Sequence, residues 1–235
     1  HWSGCHAVGW DRNAPPFGDL AVGDLFQKHS YPFGIMVNLE GHRFVDEGET
    51  WRGLTYAKTG RAILSQPEGM AFQIFDAAQR RRDVIRGYEN ATGFSSGTLE
   101  GLAEGLGIRD VKSFAATVRE FNAAIQKGEF DPFRLDGKGT SGLSLPKSNW
   151  ALPITNAPFE GFPVVCGMTF TYAGLHITPS AQVLHNSDRV ISGLYAAGEM
   201  VGGLWYDNYP SGGGMMAGAV FGRIAGARAA QQVMD

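Results

Sequence analysis

Three groups of residues have the types and spacing to do chemistry. The first is Tyr209-Pro-Ser211-Gly-Gly213-Gly214, which leads into a small-residue helix from Met215 onward. A glycine-rich turn ahead of a helix aims backbone N–H groups outward at the positive end of the helix dipole. Such a site welcomes a phosphate, a carboxylate or the electron-rich edge of a ring cofactor, and equally well serves as a tight packing turn. The second is Arg52, in Asp46-Glu-Gly-Glu-Thr-Trp-Arg52. It reads either as a surface arginine paired with Glu47 or Glu49, or as a carboxylate clamp, because its planar fork makes bidentate bonds. As an acid–base group it is poor in water, with a pKa above about 12. The third is His6 beside Cys5, a weak Cys–His signal with no third group to orient it.

The elements that would position these residues follow from periodicity. Ile191–Ala197 is a short apolar run behind a Ser-Gly turn and suits a buried parallel strand. It delivers Gly198 and Glu199 to a strand end, where doubly wound folds place ligand contacts. In the terminal helix Gly214, Gly218, Gly222 and Gly226 recur every four residues on one face, a spacing for close packing. Upstream, Gly34–Leu39 and His42–Val45 flank Glu40-Gly41 as a hairpin, and Met70–Phe75 reads as a strand. Thr98 caps a helix that Gly107 ends. Asp110 caps a longer one, with Val111, Phe114, Val118, Phe121 and Ile125 along one face and Gly128 as its stop. Residues 1–33 read as irregular, and Pro153–Phe162 as a crossover.

Composition sets the outer limits. A chain of 235 residues with 43% hydrophobic and 18% charged content has ample material for a core. A net charge of −3 gives no reason to expect nucleic acid or an anionic membrane as partner. Glycine, at 33 residues, is roughly twice its average usage, and the excess gathers between Gly193 and Gly226. Two cysteines make neither a disulfide framework nor a metal pattern, so no metal site and a cytoplasmic location are expected. No run approaches the ~18 apolar residues of a membrane span.

Gly193-Leu-Tyr-Ala-Ala-Gly-Glu199, Val201-Gly-Gly203 and Asn208–Gly214 resemble the C-terminal end of the fumarate reductase/succinate dehydrogenase flavoprotein family. Gly34–Glu47 and Thr169–Leu175 extend the likeness over most of the chain. It is nearest to the soluble tricarballylate dehydrogenase branch, and 3-ketosteroid dehydrogenases share much of the same tail. The resemblance implies an α+β chain: a capping domain over residues 1–152, then the C-terminal portion of a doubly wound FAD-binding domain over 153–235. The G-x-G-x-x-G of the FAD pyrophosphate site has no match in its required place. The chain therefore reads as part of a longer enzyme whose N-terminal FAD-binding half is its partner, and alone it is not expected to hold FAD tightly.

The resemblance also implies roles. Arg52 matches the active-site arginine, one residue further from its upstream motif than in fumarate reductases. His6 falls where the family has a substrate-binding histidine. Glu199, with Gly198 and Ser211, would bond FAD, and the backbone of Gly213, Gly214 and Met215 would face the flavin. Where fumarate-reducing members carry an arginine and a histidine, this chain has Tyr209 and Phe170, which argues against fumarate and leaves Tyr209 to hold a carbonyl or carboxylate oxygen. The implied reaction is dehydrogenation of a C–C bond beside a carboxylate, with tricarballylate leading because Arg43 and Arg52 offer positive charge. An electron-acceptor protein or quinone would be a further partner. The alternatives are a ketosteroid dehydrogenase, or a non-catalytic small-molecule binding module.

Overall fold

The computed structural model describes residues 4–15, 21 and 26–234. Parts of the irregular segment expected over residues 1–33 lie outside them. Within the described part, Cys5–Asp11 is a strand, β1, buried at most positions. A strand covered on both faces lacks the alternation that marks one in a sequence, and this one is missed for that reason.

The chain divides into two compact units, residues 8–167 and residues 1–7 with 168–235. The first is built on an antiparallel sheet. β2 (Ile35–Asn38) pairs with β3 (Met70–Asp76), and β3 with β5 (Phe159–Thr171), in register from Met70↔Val165 to Asp76↔Phe159. The strand order is β1-β5-β3-β2, and the short β4 (Phe94–Ser96) also pairs with β5. Alternation sorts the side chains. Ile35, Val37, Phe72 and Ile74 meet α3 (Leu99–Leu106) and α4 (Val111–Ala124) through Leu102, Phe114, Val118 and Phe121. Met36 and Ala71 turn to the opposite side and meet Ile63 of α1 (Arg52–Leu64).

The caps are where the sequence places them. Thr98 Oγ1 accepts the Gly101 N–H, Asp110 Oδ1 accepts the Ser113 N–H, and Gly107 ends α3 with φ +76°. α4 stops at Ala124, ahead of Gly128, because Ile125 turns extended and bridges Thr140. The Asn38–Gly41 hairpin turn forms with Gly41 at φ +80°, where a Cβ would also meet the Phe114 backbone at 2.7 Å. Asp76 ends β3 and opens α2 (Ala77–Arg81). Its carboxylate accepts the N–H groups of Ala78 and Gln79 and, from the crossover, those of Thr155 and Asn156.

The second unit carries β6 (Gln182–Leu184) antiparallel to β7 (Val190–Tyr195), and α5 (Gly213–Met234). The expectation of a buried parallel strand at Ile191–Ala197 fails. β7 pairs antiparallel with a three-residue neighbour, and Val190, Ile191 and Leu194 are exposed. An apolar run is buried only as far as some element covers it: Ala196 is buried and Gln232 of α5 bonds Ser192 and Tyr195, but Val190, Ile191 and Leu194 are left uncovered. The glycine face of α5 is likewise open beyond its first turn: a Cβ at Gly218 would meet only Gly198 Cα, at 3.7 Å, and one at Gly222 or Gly226 would meet nothing within 4 Å. Among the described residues no helix is long and apolar enough to cross a membrane, and no cluster of His, Cys, Asp and Glu could hold a metal.

Candidate active site

In the unit of residues 8–167, Arg52 is the first residue of α1. Both carboxylates that could have neutralised it are taken. Glu47 is buried and bonded by Arg43, with Nη2 at 2.7 Å from Oε2 and Nε at 3.1 Å from Oε1, and Glu49 pairs with Lys58 at 2.6 Å. The Arg52 guanidinium makes no hydrogen bond or ion pair among the described residues, and the residue is exposed on a cavity of about 590 Å³. The Phe33, Trp51, Phe133 and Trp150 rings wall that cavity, and Arg82 and Arg86 also line it.

The expectation that Arg43 offers positive charge to a ligand changes here. Arg43 is not available to one, because its guanidinium also donates to the carbonyls of Val45, Leu145 and Pro146 and only 5% of its side chain is exposed. Glu47 lies between Arg43 and Lys147, whose Nζ is 3.8 Å away and donates to the Pro32 and Gly34 carbonyls at 2.7 and 2.6 Å. Burial pushes Lys147 down to about 8 although Glu47 opposes the shift. Of the three arginines that line the cavity, Arg52 was expected, and Arg82 and Arg86 were missed. The one sign of Arg82 was its place at the end of the Arg80-Arg81-Arg82 run behind Asp76, and Arg86 had none.

In the other unit, the residues proposed for the substrate and cofactor group around Tyr209. Its hydroxyl accepts the Gly214 N–H at 2.6 Å and closes the loop onto the first turn of α5. Its ring stands edge-on to His6 and to Phe170, with centroids 5.0 and 5.2 Å away, and against Trp205 at 5.1 Å. His6 stacks on Phe170 at 4.7 Å and its Nδ1 is bonded to Thr169 Oγ1. Burial holds the His6 pKa below the ordinary histidine value. A second, smaller cavity of about 90 Å³ brings Gly198, Glu199, Gly214, Phe170 and Trp205 together. Gly198 and Gly212 have φ of +83° and +81°, and Glu199 is exposed. Ser211 and Met215 are exposed at the loop and helix start, and the Gly213 N–H donates to the Pro210 carbonyl. Of the three backbone amides expected to face a flavin, those of Gly213 and Gly214 are thus engaged inside the loop.

The sequence profile described as FAD binding domain matches residues 21–215. The chain belongs to the FAD-binding domain family. FAD is this family's cofactor. Among curated proteins, a probable fumarate reductase of Shewanella frigidimarina is 32% identical over 203 residues, covering 86% of this chain and 32% of that protein. A flavocytochrome c3 fumarate reductase structure in its open conformation superposes with a TM-score of 0.65 at 29% identity, over 100% of this chain and 37% of that one. The 3-ketosteroid Δ1-dehydrogenase of Sterolibacterium denitrificans, in complex with 1,4-androstadiene-3,17-dione, gives 0.67 at 25% identity over 97% and 43%. The chain thus spans about a third of the first curated relative's length. The α+β architecture agrees with the fumarate reductase fold. Around Gly198, Glu199 and Gly214 the residues fit one part of FAD: left-handed glycines admit a close approach, and an exposed carboxylate can accept from hydroxyls. A cavity of about 90 Å³ fits an edge of the cofactor and not its whole length.

Proposed function

We propose that this chain supplies the capping domain (residues 1–152) and the C-terminal part of the FAD domain (153–235) of an FAD-dependent dehydrogenase. Its substrate is a small polycarboxylate of the tricarballylate kind, oxidised at a C–C bond next to a carboxylate. The observation that carries the reading is Arg52: a guanidinium without an acidic partner among the described residues, set on a cavity. An arginine in that state is a ready carboxylate clamp. The fumarate reductase relative is named for a dicarboxylate.

FAD, held at Gly198, Glu199 and the Gly213–Met215 turn, would supply a two-electron acceptor for the hydride. The proton of the neighbouring carbon would go to a base, the role that the resemblance gives to Arg52. The chain's own groups do the rest. Arg52 grips a carboxylate and fixes its plane. Tyr209, whose hydroxyl already accepts from Gly214 N–H, is polarised as a donor to a carbonyl or carboxylate oxygen. His6, held by Thr169 and Phe170, lies against the Tyr209 ring, and Glu199 accepts from cofactor hydroxyls. An acceptor protein or a quinone would be the partner that reoxidises the cofactor.

The aromatic wall around Tyr209 favours a second reading, a ketosteroid substrate, in keeping with the dehydrogenase structure of that class. Anaerobic addition of tricarballylate to the flavin-loaded protein separates the two. Bleaching of the flavin's visible absorbance is expected. If 4-androstene-3,17-dione bleaches it and tricarballylate does not, the steroid reading takes over. If neither does while the flavin stays bound, both substrate readings fall.

A further inference from the structure

We propose that Arg82 and Arg86 are specificity-determining residues. They would hold the carboxylates of a polyanionic ligand remote from the one gripped by Arg52, and so make the cavity selective for di- and tricarboxylates over monocarboxylates. The inference rests on the proposed carboxylate chemistry at Arg52 and extends it to two residues of a different element.

The argument is one of charge balance. The cavity is lined by three guanidiniums, Arg52, Arg82 and Arg86, against one carboxylate, Asp83. Arg86 shares Asp83, its Nη2 lying 3.0 Å from Oδ2 and its Nε donating to the Asp83 carbonyl. Arg82 is seated over the Phe130 ring, with Cζ 5.3 Å from the centroid, and makes no ion pair among the described residues. A ring orients a guanidinium but does not neutralise it. Like charges gathered on one concave surface repel, and the arrangement is relieved by an anion carrying more than one charge.

Backbone geometry supports a built site. α2 is opened by a capping box in which Asp76 and Gln79 bond reciprocally, and it closes at Arg82. Asp83 follows with φ +54°, turning the chain so that Arg86 lines the same cavity as Arg82. The volume of about 590 Å³ is at the scale of small-molecule pockets and has room for a branched carboxylate with its waters.

The test is isothermal titration of the 235-residue chain with tricarballylate and with propionate. It needs no flavin, which separates it from the dehydrogenation assay. Arg82→Gln and Arg86→Gln should each weaken tricarballylate binding by about tenfold or more, the scale of one lost charge-assisted bond. They should leave the weak propionate binding unchanged, and Arg82→Lys should recover part of the loss. Arg109→Gln, an exposed arginine paired with Glu40 and Glu68, is the control and should change nothing. Thermal unfolding of each variant excludes misfolding as the cause. If only Arg52→Gln weakens tricarballylate, this inference falls and the carboxylate reading of Arg52 survives. If wild type binds no carboxylate at all, both fall.

Discussion

The phenolic oxygen of Tyr209 lies 2.6 Å from the backbone nitrogen of Gly214, so a side chain of the glycine-rich loop caps the helix that the loop introduces. Tyr209 is itself 6% exposed and wedged among His6, Phe170 and Trp205. The helix start and the aromatic cluster are therefore one mechanical piece, and a pull on the hydroxyl is also a pull on α5.

Tyr209→Phe should accordingly act on stability as well as on ligand binding. It keeps the ring packing and deletes the acceptor of a half-buried N–H, a loss worth about 1–3 kcal/mol. Thermal unfolding should show a drop of several degrees. An unchanged midpoint would mean that water replaces the hydroxyl at no cost.

Glu47→Gln should be severe. The substitution leaves Arg43 and Lys147 as buried cations without their counter-charge, and it weakens the acceptor of the Met36 N–H, now at 2.8 Å. Breaking one partner of a buried ionic group costs about 3–5 kcal/mol. Urea unfolding measures this, and a cost within error of zero would show that the cluster is wet in solution.

Lys147 gives a pH signature of defined sign. In the unfolded chain it keeps its proton to about 10.5, whereas in the folded protein it releases it near 8. The unfolded state thus binds more protons between those values, and the contribution of Lys147 to stability rises with pH across that window. Lys147→Met, although less stable overall, should lack this rise. Parallel pH profiles for the two proteins would refute the assignment.

His6 works at the other end of the scale. Its folded-state pKa is lowered by burial, so its contribution is complete above the ordinary value of 6.5 and is lost as pH falls below it. The wild-type protein should lose more stability than His6→Gln on going from about pH 7 to about pH 5. Equal losses in denaturant titrations would place His6 in contact with water.

What could be read from the chain was local. Thr98, Gly107 and Asp110 announce α3 and α4 because a cap and its helix are near neighbours in sequence, and Met70–Phe75 announces β3 by its length and apolarity. β1 was illegible because Cys5–Asp11, covered on both faces, shows no alternation, and its polar His6 and its Gly9 interrupt the kind of apolar run that marks β3. β7 was misread for the converse reason: Ile191 and Leu194 have the composition of an inner strand, but composition cannot say whether a neighbour is present. Of the candidate functional residues, Arg52 in one unit and Tyr209 and Glu199 in the other stand in recognisable motifs. The freedom of Arg52 could not be read, because it depends on Glu47 choosing Arg43 and on Glu49 choosing Lys58. Arg82 and Arg86 sit in no motif, and only the fold sets them opposite α1.

One carboxylate governs that placement. Asp76 holds the end of β3, the start of α2 and residues Thr155 and Asn156 of the crossover in a single knot of hydrogen bonds. Arg82 and Arg86 hang from this knot at the end of a helix little more than one turn long. A change at residue 76, which lines neither cavity, would swing the two cations as a door swings on its hinge pin. The charge of the cavity wall is thus positioned from a corner that lines no cavity itself.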